Sequence, residues 1–168
     1  MYARANVVLS YAQRYGLRTL IETGTFKGSM ILFTHKAFRS VVTIERDEEL
    51  FNDARAVLGA LSNVTCLLGD SGVLLAEIVN ALEAPAVFWL DAHYISTRSP
   101  KTWLQTPIHQ ELAAILASSI TGHVVLVDDA RSYTGHGQWP SITKLADIMQ
   151  QQYTMRLEAD ILRFTQRT

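Results

Sequence analysis

The sequence predicts an α/β fold, a doubly wound and mostly parallel sheet whose last two strands form an antiparallel hairpin. Three observations carry that expectation. Short apolar, β-branched runs alternate with amphipathic helical stretches along the chain. The runs are nearly continuous in apolar residues, as strands covered on both faces must be. Near the C-terminal end two strand-like runs follow each other with no room for a helix between them, and parallel neighbours need a crossover of about a dozen residues or more.

The elements follow in order. The segment before the first strand has room for one helix, "ANVVLSYAQRYG" (5–16). Strands are expected at "TLIET" (19–23), "VVTIE" (41–45), "VTCLL" (64–68), "AVFWLD" (86–91) and "HVVLVD" (123–128). After the first of them, a loop carrying Gly24 and Gly28 leads into a helix start. In "EELFNDARAVLGAL" the residues Leu50, Phe51, Ala54, Val57, Leu58 and Leu61 fall on one helical face. "SGVLLAEIVNAL" is the next helix, with Asp70 as a candidate cap. In "TPIHQELAAILASS", Thr106 suits an N-cap and Pro107 the first turn, while Ile108, Leu112, Ile115 and Leu116 line a stripe. "SITKLADIMQQQ" repeats that pattern through Ile142, Leu145, Ile148 and Met149. The hairpin takes about 154–158 and 161–166. Repeated β-α units of these lengths give one doubly wound domain over 1–168.

Composition narrows the function classes. At 168 residues the chain can bury a substantial core, and 48% hydrophobic against 18% charged residues argues against disorder. The net charge is -1, with 15 basic residues scattered among 16 acidic ones and no basic stripe. A nucleic-acid partner therefore has no electrostatic support. Cys66 is the only cysteine, so no intramolecular disulfide or CxxC metal site exists. Within "VTCLL" it is expected to be a buried, inert thiol. The start "MYARANVVLS" has no signal-peptide pattern, and no apolar run approaches the ~20 residues needed to span a bilayer. A cytoplasmic protein with no membrane partner is expected.

Ligands in such sheets bind beyond the carboxyl ends of the strands. The opening loop, Glu22-Thr-Gly24-Thr25-Phe26-Lys-Gly28, occupies that place. It is neither a dinucleotide fingerprint nor a P-loop. Phe26 and Lys27 stand where small residues would admit a pyrophosphate, and no Gly-Lys-Ser/Thr follows. Glu45 ends the second strand, where one carboxylate can accept two ribose hydroxyls; its other reading is the start of a solvated run, "ERDEE". The third strand ends in "GDSG", whose Asp70 and Ser71 could face a purine edge, although Asp70 serves equally as a helix cap.

Strands four and five finish at the same edge and should bring Asp91, Asp128 and Asp129 together. Carboxylates held close raise at least one pKa unless a cation neutralises them, and hard divalent ions prefer oxygen ligands. The alternative makes Asp91 and Asp128 turn or helix caps and leaves Asp129 exposed.

Acid-x-Gly-x-aromatic-x-Gly after strand one, an acid ending strand two and Gly-Asp-Ser after strand three resemble class I S-adenosylmethionine-dependent methyltransferases. Phe26 at the middle position is similar to the catechol and caffeoyl-CoA type O-methyltransferases. The resemblance covers nearly the whole chain and implies a Rossmann-like methyltransferase sheet. It implies that Glu22, Gly24, Thr25, Phe26 and Gly28 flank the methionine part of the cofactor. Glu45 would then hold the ribose, and Asp70 with Ser71 would face the adenine. The metal-dependent catechol and macrocin types carry an Asp ending strand four and an Asp-Asp or Asp-Asn pair ending strand five, which Asp91 and Asp128-Asp129 match. The resemblance thus implies a Mg²⁺-like ion on these three residues, with Asp91 also beside the cofactor. Such an ion would chelate two acceptor oxygens and lower the pKa of the attacking hydroxyl.

One departure stands out. The catechol and caffeoyl types place a lysine soon after the strand-four Asp, whereas here the order is Asp91-Ala-His93-Tyr94, with Lys101 several residues on. His93 could be the base, an extra metal ligand or a structural group. His136, between glycines in "YTGHGQWP", is a further candidate. Trp103 and Trp139 could stack on an acceptor or simply pack their loops down. Arg98, Lys101 and Arg131 could favour an anionic acceptor or be solvated. The expected partner is a hydroxylated small molecule or sugar, and a homo-oligomer that completes its pocket stays open.

Overall fold

The computed structural model describes residues 2–93 and 106–167. Seven strands form one sheet: β1 (Thr19–Thr23), β2 (Ser40–Glu45), β3 (Val64–Leu68), β4 (Val87–Leu90), β5 (Val124–Val127), β6 (Tyr153–Glu158) and β7 (Ile161–Gln166). Their order is β3-β2-β1-β4-β5-β7-β6. The first five are parallel, while β7 runs antiparallel to both β5 and β6. The helices are α1 (Tyr2–Tyr15), α2 (Ser29–Thr34), α3 (Glu48–Leu58), α4 (Ser71–Asn80), α5 (Ile108–Leu116) and α6 (Ile142–Met149). The doubly wound sheet with its closing hairpin is the architecture expected from the sequence. None of the described helices is long and apolar enough to cross a membrane.

Alternation along the central strands explains their unbroken apolar runs. Val87 and Trp89 of β4, with Val124 and Leu126 of β5, join α1, α2 and α3 in one core layer. Phe88 and Leu90, with Val125 and Val127, join α4, α5 and α6 in the other. Successive strand residues point to opposite faces, so a strand covered on both sides has no polar position to spare. The edges differ. In β3, Leu68 is 46% exposed, and Cys66 is half-buried rather than fully buried; burial raises its thiol pKa.

Two local expectations need correction. Val57 is 51% exposed, because Leu50, Phe51, Ala54 and Leu58 already form the buried stripe of α3. At α5, Pro107 rather than Thr106 is the N-cap, although the Thr106 hydroxyl still accepts from the Ile108 N–H at 3.3 Å. The hairpin turns through Ala159 and Asp160, both with positive φ (52° and 65°). That is the combination a two-residue turn needs to match strand twist.

The chain runs β1, β2, β3 outward in one direction, then returns to place β4 on the other side of β1. The carboxyl ends of β1 and β4 therefore border the point where strand order reverses, the usual mouth of a ligand crevice.

Candidate active site

A cavity of about 340 Å³ opens at that point. Its lining runs from the β1 loop and Glu45, past Asp70 and Ser71, to Asp91, His93, Asp128 and Asp129. The expected cofactor and carboxylate residues all line it except Gly28, whereas Arg131, His136 and Trp139 do not.

The loop side is built from backbone. Gly24 and Thr25 donate their N–H groups to the Ile44 carbonyl at 2.9 and 3.2 Å, which presses the loop onto β2. Gly24 has φ +85°, and a Cβ there would lie 2.5 Å from the Asp91 carbonyl oxygen. Glycine is needed both for the backbone angle and for the close crossing of β4. At Gly28, φ is +70° and a Cβ would meet Leu58 Cδ1 at 2.9 Å. Phe26 sits in the left-handed region at φ 49°, half-exposed, with the Lys27 ammonium 5.6 Å from its ring centroid.

Glu45 pins this loop. Its Oε2 accepts from the Phe26 N–H at 2.8 Å, and its Oε1 accepts from the Arg46 and Asp47 N–H groups at 2.9 Å each. A carboxylate offers about four acceptor sites, so Oε1 is filled and Oε2 retains one. The bidentate grip on two hydroxyls expected from the sequence would require part of this network to open.

Glu22 is buried beneath the loop. The Thr43 hydroxyl donates to its Oε2 at 2.5 Å, and the Thr25 hydroxyl lies 2.6 Å from Thr43 Oγ1. With the Thr43 proton committed to Glu22, Thr25 must donate to Thr43. Burial pushes the Glu22 pKa up to about 8, against the opposing pull of Thr43. At neutral pH it is mostly a neutral acid.

At the third strand end, Asp70 is the cap of α4, with Oδ1 accepting from the Gly72 N–H at 2.9 Å and Oδ2 3.1 Å from Arg46 Nη1. The Ser71 hydroxyl donates to Glu111 Oε1 at 2.7 Å. Burial pushes Glu111 up to about 7. Sequence reasoning missed Glu111, although a signal existed: it lies between Ile108 and Ile115 on the apolar stripe of α5, where a carboxyl must be neutral or paired.

The β4 and β5 ends hold charged side chains. The Asp91 and Asp128 N–H groups extend the ladder, donating to the Thr23 and Leu90 carbonyls at 3.0 Å each. His93 Nε2 lies 3.1 Å from both Asp91 Oδ1 and Asp129 Oδ2. The hydrogen bond to Asp91, then the field of both carboxylates, pushes His93 up to about 9 against the effect of burial. It is an imidazolium at neutral pH.

Arg4, from the first turn of α1, is the residue that sequence reasoning missed most. Its Nε donates to Asp128 Oδ1 and Oδ2 at 2.6 and 2.5 Å, and its Nη2 donates to Asp129 Oδ1 at 3.0 Å. Burial still raises the Asp128 pKa, with the Arg4 hydrogen bond opposing it. The hairpin tip adds Asp160, 3.9 Å from Arg4 Nη2. Arg131, whose side chain is largely exposed, lies 2.8 Å from Asp129 Oδ1 and pairs with Asp160, so it joins the cluster from its solvent side.

These residues do not fit a divalent ion on Asp91, Asp128 and Asp129. Both Asp128 oxygens face Arg4, and both Asp129 oxygens face cationic donors. Among the described residues, the donor atoms that lie within 4.8 Å of one another belong to Asp91, His93 and Asp129, without Asp128. Arg4 thus brings positive charge to two of the three carboxylates expected to hold an ion.

Trp139 packs edge-on against Tyr133 with centroids 5.4 Å apart, and its ring centroid is 6.0 Å from that of His93. It secures its loop beside the site. His136 is exposed on that loop and does not line the cavity. Arg98, Lys101 and Trp103 lie outside the described residues.

No protein-family model matches the sequence, and no curated protein matches it. Solved structures do. The chain is similar to the O-methyltransferase TomG from Streptomyces achromogenes, whose structure holds SAM (S-adenosylmethionine), with TM-score 0.72 and 17% identity over 99% of this chain and 80% of that one. It is also similar to an O-methyltransferase from Bacillus cereus in complex with SAH (S-adenosylhomocysteine), with TM-score 0.68 and 15% identity over 98% of this chain and 81% of that one. A third likeness is the 23S rRNA methyltransferase ErmE, with TM-score 0.59 and 18% identity over 97% and 68% of the two chains. The chain has the Rossmann-like α/β fold of class I S-adenosylmethionine-dependent methyltransferases.

Proposed function

We propose that this protein is an S-adenosylmethionine-dependent methyltransferase that modifies a hydroxyl group of a small molecule or sugar. One observation carries the reading: a single cavity joins the glycine loop and Glu45 to the carboxylate edge at Asp91 and His93. When bound, S-adenosylmethionine supplies an electrophilic methyl group on a sulfonium. The chain's own residues fit such a group. Gly24 leaves the loop backbone against β4, Glu45 Oε2 keeps one acceptor site for a ribose hydroxyl, and Ser71 Oγ keeps its lone pairs for an amino donor such as that of adenine.

At the other end, Asp91 has one oxygen against His93 and lines the cavity, so it can accept the hydrogen bond of an acceptor hydroxyl. In the fraction of molecules where His93 is neutral, its Nε2 takes up the proton that this hydroxyl gives up, with Asp91 holding the imidazolium that forms. Because His93 is protonated at neutral pH, transfer should quicken as pH rises toward about 9. Catalysis then rests on positioning and on charge held in place before reaction. The near-zero net charge supports a small acceptor over a nucleic acid, although an rRNA enzyme shares the fold.

The test is methyl transfer from labelled S-adenosylmethionine to a panel of phenols, catechols and sugars. Turnover lost in Asp91→Asn with cofactor binding kept is the expected result. Binding without transfer to any acceptor would point instead to a non-catalytic adenosyl-binding module.

A further inference from the structure

The carboxylate edge gathers four acids in a partly buried place, where each must be balanced or solvated. Asp91, Asp128, Asp129 and Asp160 meet there, and each touches a cationic group: Asp91 faces His93, Asp128 faces Arg4, Asp129 faces Arg4, Arg131 and His93, and Asp160 faces Arg131. Arg4 is central to this balance. Its planar fork spans two neighbouring carboxylates, which a lysine ammonium would meet as a point charge. It arrives from the opposite end of the chain, 124 positions before Asp128. Its side chain is 32% exposed, and Arg4 itself lines the cavity.

We propose that Arg4 stands in for a divalent cation: the guanidinium holds Asp128 and Asp129, so the site works without a bound metal. A metal at Asp128 and the Arg4 side chain compete for the same oxygen atoms, and only one can occupy them. The acceptor then needs no pair of adjacent oxygens to chelate an ion, and the same contacts fasten the start of α1 to the end of β5. The assignment rests on the methyltransferase reading only in taking this edge for the acceptor side.

The test is direct titration of Mn²⁺ into the metal-stripped full chain, read by electron paramagnetic resonance, beside a calorimetric titration of S-adenosylhomocysteine. Wild type should take up no stoichiometric Mn²⁺. Arg4→Met should gain saturable one-to-one Mn²⁺ binding, lost again in Arg4→Met/Asp128→Asn. Arg4→Lys, which keeps the charge, should still exclude the ion. Saturable Mn²⁺ binding by wild type that Asp128→Asn abolishes would overturn the proposal, and so would an Arg4→Met protein that gains none. Should Arg4→Met fail to fold, wild type and Arg4→Lys still decide the matter. Failure of S-adenosylhomocysteine to bind, with the Mn²⁺ pattern as expected, would count against the cofactor reading and leave the role of Arg4 standing.

Discussion

The two halves of the cavity are held by different kinds of contact. Under β1 and β2 the loop is fixed by backbone N–H groups donating to a carbonyl and to Glu45, and by glycines that let main chains cross at close range. Beyond β4 and β5 the shape depends on charged side chains drawn from α1, two strand ends and the hairpin tip. The backbone half depends on close steric fit, and a single added methyl group can break it. The charged half tolerates small steric change and responds to protonation and to any competing cation. On the proposed reading, the cofactor side is held by backbone contacts and the acceptor side by charge pairs.

The largest effect should come from the rigid half. Gly24→Ala puts a Cβ 2.5 Å from the Asp91 carbonyl oxygen, and urea unfolding should show a loss of about 3 kcal/mol or more. Gly16→Ala is the control: φ is +66° but the space around it is open, so only the backbone cost of ~1 kcal/mol is expected. Equal losses at the two positions would remove the argument for a close crossing. Glu45→Ala frees three N–H groups at once, and affinity for S-adenosylhomocysteine should fall by on the order of tenfold or more.

On the charged half, pH is the sharper tool. His93 is raised from its ordinary value to about 9, so its pairing stabilises the fold fully below about 6.5, and that contribution is lost as pH rises toward 9. His93→Gln should flatten the decline over this window, as followed by thermal unfolding. A variant with an unchanged slope would show that His93 is not paired as described.

A second pH effect lies beneath the loop. Glu22 is raised by burial from 4.5 to about 8, so between those values the folded chain keeps a proton that the unfolded chain releases. Stability therefore falls as pH rises from about 4.5 to about 8. Glu22→Gln, close in shape to the neutral acid, should be nearly silent at pH 5 and relatively stabilising at pH 8. Destabilisation at pH 5 as great as at pH 8 would mean that the carboxyl is charged throughout.

Much of this was legible in the sequence. The apolar runs locate the seven strands to within about a residue at each end, because strands covered on both faces are predominantly apolar. Gly24, Gly28 and Glu45 were legible because loop and strand lie close in sequence and carry a pattern. The charged half was only partly so. Asp91 and Asp128 follow from strand ends, but their partners do not. Arg4 extends the Ala5, Val8 and Ala12 face of α1 by one position, and nothing local says that its side chain reaches Asp128. Asp160 reads as an ordinary turn residue until the hairpin folds back on the 129–131 turn, where the Ala130 N–H donates to its carbonyl at 2.9 Å. Contacts between distant parts of a chain leave no periodic trace.

The central claim is that this cavity binds an adenosyl cofactor through its backbone-held half. Calorimetric titration of S-adenosylhomocysteine into wild type and Glu45→Ala, with and without a chelator, tests it most directly. Wild type should bind saturably, equally so with chelator present, and the variant should show a clear loss of affinity. No saturable binding by wild type in either condition would contradict it.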